Sequence, residues 1–435
     1  MAANTPLKYD NLVTCTIVPN LPQHSCLPAL RNKSNPTFTA KDLRSLKVLS
    51  RFREVLDAVL AQQQTPLHRS FADPKRNLQL GDYLSLFLVA LFNPVARTVR
   101  GIVQASSLPK VCAQLGVTKV SLGSFSETQQ LVDPSLLEHL FASLAGELPD
   151  LKKLPPSLHS QRWMARDSSL FPALPRMAWA LYGGGREGFK NNAVRLHVSL
   201  DLLKDAPARV QVTPGKTCER KTLRAEVDVT PGGAYVGDRY FGESYQFFAL
   251  LSAKKCRYLI RLIDHGIAPT VEEEIPVTAE DAKSGIERQA WVRLGQEGRN
   301  LSERLRYIWL RGSTGELLHL ATNLPPSELS AADAALLYKS RWQVEYFFRW
   351  VKCLMGCGHW LAESPRGVTN QLYLALIGAL LLQLDLGSRP SKRIWELYQW
   401  HQVGLLDDAE LAHALRVQLA REAQARAKKT KAYPN

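Results

Sequence analysis

Tyr338, Arg341, Glu345 and Lys352 are four residues whose types and spacing suit the chemistry of a phosphodiester. They stand at offsets of 0, 3, 7 and 14, and at about 100° per residue they project within about 60° of one another on a helix. Glutamate is a hard oxygen ligand for a divalent cation, arginine and lysine bind phosphate oxygens, and tyrosine stacks or hydrogen-bonds. The pattern predicts one long helix, from Ser330 to about Met355, with this set on one face. A plain surface ion pair is the alternative for Arg341 and Glu345.

Two aspartates follow predicted strands earlier in the chain. Asp167 comes directly after a strand predicted over 161–166, and Asp238 comes directly after a strand predicted over 234–237. In an open α/β sheet, ligands bind in the crevice outside the carboxyl ends of the strands. The two aspartates are therefore candidates for chemistry, although each would also serve to cap a turn.

The elements that must position these residues change in type along the chain. Up to about residue 156 the apolar residues recur at helical spacing, with helices predicted at 42–62, 84–92, 109–115 and 135–148. Strands are then predicted at 161–166, 194–202, 208–212, 234–237 and 257–262, with a helix at 243–253. More strands, at 289–294, 305–310 and 317–321, precede the helix that carries Glu345. The order predicts a mixed α/β fold.

The first predicted helix has a basic side. Lys41, Arg44, Lys47 and Arg51 fall within an arc of about 120°, which predicts contacts with DNA phosphates. A solvated helix face is the alternative. The whole chain of 435 residues has 55 Lys plus Arg against 40 Asp plus Glu, a formal net charge of +15, and this excess favours a polyanionic partner.

Several function classes are disfavoured by composition. The apolar run 372–386 has about 15 residues and contains Gln383 and Asp385, so it predicts a buried core helix because a membrane span needs about 20 apolar residues. No secretory signal is recognisable, which predicts a cytoplasmic protein without a membrane partner. Seven scattered cysteines favour reduced thiols. Cys353, Cys357 and His359 lack an obvious fourth zinc ligand, and we interpret them as small residues at a helix end.

The residues together resemble a known family. Tyr338-x2-Arg341-x3-Glu345-x6-Lys352 resembles the YREK motif of DDE transposases of bacterial insertion sequences, in the group named after insertion sequence four. Asp167 in "ARDSS" and Asp238 in "YVGDRYF" occupy the places of that family's first and second aspartates, and "TNLP" at 322–325 resembles its approach to the last helix. The resemblance spans about residues 80 to 385.

The resemblance implies an architecture. It implies an RNase H-like mixed-sheet catalytic core interrupted by a β-rich insertion, an all-helical N-terminal region that binds DNA ends, and a helical, basic C-terminal tail. On this sequence the end-binding region is 1–156. The core has two parts, 157–263 and 330–388, with the insertion at 264–329 between them, and the tail is 389–435.

The resemblance also implies roles for single residues. Asp167, Asp238 and Glu345 are implied as catalytic ligands for two Mg²⁺ or Mn²⁺ ions per active site. Contacts with DNA near the cleaved end are implied for Tyr338, Arg341 and Lys352, and Arg239 fits the family's pattern after the second aspartate. In some relatives an aromatic residue of the insertion holds a flipped base. The candidates here are Trp291 and Trp309, for which a place in the core is the alternative.

The implied function is cut-and-paste transposition. The protein is expected to bind terminal inverted repeats of double-stranded DNA, cleave at the element ends by two-metal phosphodiester hydrolysis, and join the 3′-hydroxyl ends to target DNA. We expect a homodimer on paired ends, located in the cytoplasm at the nucleoid. The alternatives are a catalytically silent DNA-binding protein derived from a transposase and a structure-selective nuclease with the same core.

Overall fold

One ten-stranded sheet organises the part of the chain that the structure describes. The strands follow one another in the order β2 (Leu181–Gly184), β3 (Lys190–Asp201), β1 (Trp163–Pro172), β5 (Ala234–Gly237), β6 (Arg257–Leu262), β10 (Leu317–Thr322), β9 (Arg299–Arg311), β8 (Ile286–Gln296) and β7 (Pro269–Ile275), and β4 (Ala206–Pro214) also pairs with β3. Helices pack against this sheet, so the predicted mixed α/β class is confirmed. The structure is a computed structural model, and it describes residues 47–62, 67–73, 75–151, 154–184, 190–217, 229–243, 245–263, 269–296, 299–312, 314–354 and 359–432.

The described chain before the sheet is helical, as predicted. The sixth helix begins with a proline at its first position. Asp133 caps this helix by accepting a hydrogen bond from the Ser135 amide. Gly116, with a φ of 65°, ends the fourth in the left-handed conformation that glycine adopts at little cost. The helices are α1 (Lys47–Ala61), α2 (Leu80–Phe92), α3 (Val99–Ala105), α4 (Pro109–Leu115), α5 (Leu122–Leu131) and α6 (Pro134–Glu147).

The first half of the sheet joins an antiparallel group of strands to a parallel one. β3 pairs antiparallel with β1, β2 and β4. On its other edge β1 pairs parallel with β5, which pairs parallel with β6. These strands are β1 (Trp163–Pro172), β2 (Leu181–Gly184), β3 (Lys190–Asp201), β4 (Ala206–Pro214), β5 (Ala234–Gly237) and β6 (Arg257–Leu262).

The second half of the sheet is an antiparallel meander that continues from β6. It consists of β7 (Pro269–Ile275), β8 (Ile286–Gln296), β9 (Arg299–Arg311) and β10 (Leu317–Thr322). The helix α7 (Tyr245–Ala253) connects β5 to β6, and α8 (Ala279–Lys283) connects β7 to β8. β7 was not predicted as a strand, because its acidic run 272–274 lacks apolar alternation. Its carboxylates pair with arginines of β8 and β9 instead, among them Arg293 at 2.9 Å and Arg304 at 2.5 Å.

β3 is buried on both of its faces. Val194, Leu196, Val198 and Leu200 are buried, and the alternating polar residues His197, Ser199 and Asp201 are buried as well. A central strand is covered on both faces, and its polar residues are then retained through hydrogen bonds. His197 bonds through Nε2 to the Thr213 hydroxyl at 2.9 Å.

The helices after the sheet are α9 (Ala331–Ser340), α10 (Gln343–Leu354), α11 (Pro365–Leu386), α12 (Lys392–Gln402) and α13 (Asp408–Ala432). α11 contains the run predicted to be a core helix. By length and composition it would suffice to cross a membrane, but 89% of its most apolar window is buried inside the protein. The prediction of a core helix is confirmed.

Candidate active site

Asp167 lies on β1, and Asp238 directly follows β5, the neighbouring parallel strand. The last pair in the register of β1 and β5 is Ala165 with Val236, and each aspartate follows its paired residue by two positions. Asp167 lies within β1, which runs to Pro172, so its prediction as the residue after a strand was wrong. The polar run Asp-Ser-Ser indicated a strand end, but pairing with β3 continues through it.

A tight turn holds Asp238 directly after β5. The Tyr240 amide donates to Oδ1 of Asp238 at 3.0 Å, and the Phe241 amide donates to its carbonyl oxygen at 3.2 Å. Gly242 allows the turn to lie close against β6, because a Cβ at this position would overlap the carbonyl oxygen of Arg261. The sequence after the aspartate therefore fixes the direction of its carboxylate.

The predicted single helix from 330 to 355 is interrupted at Arg341 and Trp342. The amide of Arg341 bonds to the carbonyl oxygen of Tyr338 at 3.1 Å, and the amide of Glu345 bonds to that of Trp342 at 3.1 Å. Bonds between residues three apart are those of a tighter 3₁₀ turn. The assumption of one regular helix was wrong, although the turn keeps Arg341 and Glu345 in contact.

Arg341 joins two of the three predicted acids. Its Nη2 donates to Oε1 of Glu345 at 3.0 Å, and its Nη1 lies 3.8 Å from Oδ2 of Asp167. Only 6% of Arg341 is exposed, whereas the side chains of Asp167 and Glu345 are 21% and 29% exposed. The two carboxylates therefore lie on either side of one nearly buried guanidinium.

The charges around Arg341 keep it protonated. Burial alone would lower the pKa of Arg341, but Tyr338, Asp167, Glu345 and Asp238 act in the opposite direction and the pKa is raised overall. Asp238 thus belongs electrostatically to the same group. Tyr338 is buried, and the Arg341 guanidinium lies 5.7 Å from the centre of its ring.

Lys352 reaches the same face of β1 from the other end of α10. Its Nζ lies 5.6 Å from the centre of the Phe171 ring, and Phe171 follows Asp167 by four residues on one strand, so both project to the same side. Val344, Phe347 and Val351 are buried and hold α10 against the core. The structure therefore brings the residues of the YREK pattern to the Asp167 side of the sheet.

The donor chemistry of this group fits a hard divalent cation. Asp167, Asp238 and Glu345 offer carboxylate oxygens alone, which are the ligands that Mg²⁺ and Mn²⁺ prefer. Within the described ranges no three Asp, Glu, His or Cys side chains are gathered tightly enough to hold a metal ion as they stand. Arg341 supplies a positive charge between Asp167 and Glu345.

The two tryptophans predicted to hold a flipped base lie away from this group. Trp291 is on β8 and Trp309 is on β9, three or more strands beyond β5 in the sheet order, which at about 4.8 Å per strand is roughly 14 Å or more. Both are half-buried. The guanidinium of Arg304 lies 4.9 Å from the Trp291 ring, and that of Arg288 lies 4.6 Å from the Trp309 ring.

The other predicted DNA contacts differ in how far the structure describes them. Arg239 is exposed in the turn after Asp238. Lys47 and Arg51 belong to α1, although their side chains are not described, and Lys41 and Arg44 lie outside the described residues. Cys357 of the candidate zinc cluster also lies outside them.

Phe171 and Trp342 were missed by sequence reasoning. Trp342 is 46% exposed, and its ring centre lies 5.4 Å from the Arg341 guanidinium. Its place between Arg341 and Glu345 in the sequence was the available signal. For Phe171 the signal was the period of two along a strand, which was not applied because β1 was predicted to end at Arg166.

A family model described as "Transposase DDE domain" matches residues 159–382. This match covers more than half of the chain and includes every residue of the candidate site, and the chain belongs to that family. The identification as a member of the DDE transposases of insertion sequences is confirmed.

Two relatives that are similar to this chain are named as transposases. "Putative transposase y4zB" of Sinorhizobium fredii is 27% identical over 248 residues, which are 56% of this chain and 65% of that protein. "Probable transposase for insertion sequence element IS5377" of Geobacillus stearothermophilus is 28% identical over 215 residues, 48% of this chain and 52% of that protein. The chain thus spans between about half and two thirds of the length of these relatives.

A solved structure is also similar to this chain at a low level. The cryo-EM structure of the piggyBac transposase synaptic complex with hairpin DNA has a TM-score of 0.41 and 10% identity, covering 87% of this chain and 80% of that one. A similarity of this size carries no argument about function.

Proposed function

We propose that this protein cuts DNA at the ends of its element and joins the freed 3′-hydroxyl ends to target DNA. The observation that carries the proposal is the meeting of Asp167 and Glu345, from separate elements, on one guanidinium beside Asp238. The three acids belong to a domain matched by the DDE transposase family model. Clustered carboxylates with adjacent cations suit the binding of a divalent cation and a phosphodiester.

The strand order supports an RNase H-like core. An antiparallel group, β4–β3–β1, is followed by β5 and β6 in parallel with β1, which is the mixed sheet that the family resemblance implies. In this arrangement the first two acids come from adjacent strands. The third comes from α10, which packs on β1. This packing brings Glu345 to the strands of the first two acids, although Asp238 and Glu345 are far apart in the sequence.

Each charged residue has a distinct part in the proposed reaction. Asp167, Asp238 and Glu345 would hold Mg²⁺ or Mn²⁺, which when bound supplies Lewis-acid stabilisation of the attacked phosphate and its leaving oxygen. Arg341, held rigidly by two of the acids, orients them and presents a positive charge to the phosphate. Lys352 adds a second cation on the same face, and Tyr338 limits the movement of Arg341.

The partners we propose are terminal inverted repeats and target DNA, bound by a homodimer at the nucleoid. The formal net charge of +15 supports a polyanionic partner. Holding two ends together requires two active sites, for which a dimer on paired ends is the simplest assembly.

The test is excision from a supercoiled plasmid that carries the element ends, with magnesium present. We expect Glu345→Gln to abolish cutting while leaving binding of end DNA in gel shifts. Glu328→Gln is the matched control, because Glu328 forms a surface ion pair with Arg257 at 3.2 Å and should cut as the wild type does. Full excision by the Glu345→Gln protein refutes the assignment.

Two other outcomes identify the alternatives. Wild-type protein that shifts end DNA but cuts none with any divalent cation is a silent DNA-binding protein. Protein that cuts branched DNA without strand transfer is a structure-selective nuclease.

A further inference from the structure

A cavity of about 440 Å³ opens beside α10, outside the group of acids described above. Its walls come from three separate parts of the chain: the turn between β3 and β4, the helix α10, and the segment between α11 and α12. The residues that line it are Asp205, Tyr346, Arg349, Trp350, Arg389, Pro390, Ser391 and Lys392.

A buried ion pair fixes one wall of this cavity to the start of α10. Nη2 of Arg389 lies 3.0 Å from Oδ1 of Asp205, whose side chain is 1% exposed. Nη1 of Arg389 donates to the carbonyl oxygen of Gln343 at 3.3 Å, which is the first residue of α10. Because Glu345 follows two residues later, the cavity and the candidate active site share one rigid turn.

The lining has more positive charge than negative. Arg389 and Asp205 neutralise each other, which leaves Arg349 and Lys392. Lys392 is 3.9 Å from Glu396 in an exposed contact, and such pairs hold a side chain only weakly. Arg349 lies 5.5 Å from the centre of the Tyr346 ring, and no ion pair with a carboxylate joins it to any residue that the structure describes.

One residue of the lining has an unused hydrogen-bond donor. Trp350 is 9% exposed, and within the described chain its buried Nε1 has no hydrogen-bond partner. An indole nitrogen, a guanidinium and an ammonium group are all donors without acceptor capacity. The group that satisfies such a set is an oxygen-rich anion, and a phosphate offers three or more acceptor oxygens.

The position of the cavity relative to Glu345 indicates which phosphate it would take. Arg349 is four residues beyond Glu345, a rise of about 6 Å, and the flank formed by Tyr346, Arg349 and Trp350 is centred roughly 90° around the helix. A DNA strand carries one phosphate per about 3.4 Å of helix axis. A strand with one phosphate at Glu345 therefore has another phosphate within reach of the cavity.

We propose that this cavity is a second backbone subsite, which binds a phosphodiester of the same DNA strand one or two phosphates away from the one at the acids. The proposal rests on the proposed function for the identity of the ligand. Arg349 and Lys392 supply the charge, Trp350 supplies the N–H donor, and the Asp205–Arg389 pair keeps the cavity in register with the first turn of α10.

The experiment measures the affinity for a fluorescent DNA duplex by anisotropy over a range of salt concentrations, with EDTA present so that no DNA is cut. Because the slope of log K against log salt is about −0.9 per phosphate contact, the double variant Arg349→Gln/Lys392→Gln should flatten the slope by about one to two. The matched control Lys283→Gln/Arg311→Gln removes two exposed charges, one at the end of α8 and one at the end of β9, and should flatten the slope by less than half as much. Trp350→Phe keeps a ring, removes the N–H donor, and should lower affinity about threefold or more without changing the slope.

The outcomes separate this proposal from the proposed function. If both double variants flatten the salt slope equally, the effect is one of bulk charge and the subsite is overturned. Unchanged DNA binding by the cavity variant also overturns the subsite. Inorganic phosphate could also stabilise the wild type but not the cavity variant, while both proteins show the same salt slope for DNA binding. That result shows a site for free phosphate and also overturns the subsite. Wild-type protein that never cuts DNA, with a flattened slope in the cavity variant, refutes the proposed function and leaves the subsite supported.

Discussion

Replacing Arg341 with methionine removes the guanidinium that contacts both Asp167 and Glu345. Methionine keeps an apolar side chain of similar length in a place that is only 6% exposed, so the variant tests the charge more than the packing. Without metal the two carboxylates are then left near each other and near Asp238, without the positive charge between them. We expect the free energy of unfolding to fall.

The size of this effect follows from the geometry. Contacts at 3.0 Å and 3.8 Å have gross Coulomb energies of roughly 4 to 6 kcal/mol each at an effective dielectric constant of ~20, and the cost of burying the guanidinium offsets most of this gain. Breaking a buried pair costs about 3 to 5 kcal/mol. Since the carboxylates are 21% and 29% exposed, water compensates part of the loss, and we expect about 2 kcal/mol.

The assay is urea denaturation of wild type and Arg341→Met at pH 7.5, first in EDTA and then with magnesium. If a divalent cation binds the same carboxylates, magnesium should reduce the deficit of the variant, and a cation at ten times its dissociation constant contributes about 1.4 kcal/mol. The double variant Arg341→Met/Glu345→Gln should lose this recovery. Failure of magnesium to stabilise either the wild type or the single variant would refute the assignment of these acids to a metal ion.

Two further predictions concern buried polar residues. Burial, with Arg195 and Arg166 nearby, lowers the pKa of His197 to about 4, so its contribution to stability is complete above its unfolded pKa of about 6.5 and is lost as the pH falls from there to about 4. The free energy of unfolding should drop by about 2 kcal/mol between pH 7 and pH 5 on account of His197, and His197→Gln, compared by denaturation midpoints, should show a smaller drop; equal drops would contradict this. Arg306 is fully buried and donates through Nε and Nη2 to Oε1 of Gln289 at 3.1 Å and 2.6 Å, so Arg306→Met should cost about 3 to 5 kcal/mol. Adding Gln289→Leu should recover about 1 kcal/mol because it removes an unpaired buried acceptor, whereas strictly additive losses in the midpoints would show that the two side chains are not coupled.

The parts of the fold that were predicted correctly have strong local signals. The bounds of β5 and β6 agree with the prediction to the residue, and α4 does as well. Each is a short apolar segment bounded by glycine, proline or charged residues. β7 and the continuation of β1 beyond Asp167 were missed because cross-strand partners, among them Arg293 and Arg304 for the acidic run, make these polar segments into strands.

The candidate site shows the same division. Residue types and spacing were enough to select Asp167, Asp238, Glu345 and the residues of the YREK pattern, since carboxylates and cations in fixed order limit the possible chemistry. The contact of Arg341 with Asp167 across 174 positions of sequence could not be predicted, because it depends on how α10 packs on β1.

What the sequence by itself determined is the family, the class of fold and the order of the acids, because these depend on local pattern and on the residue types present. Only the tertiary structure decided that the helix breaks at Arg341, that its guanidinium is nearly buried between two carboxylates, and that a cationic cavity adjoins the same turn. Burial and charge pairing depend on segments far apart in the chain, and their distances are set by packing alone.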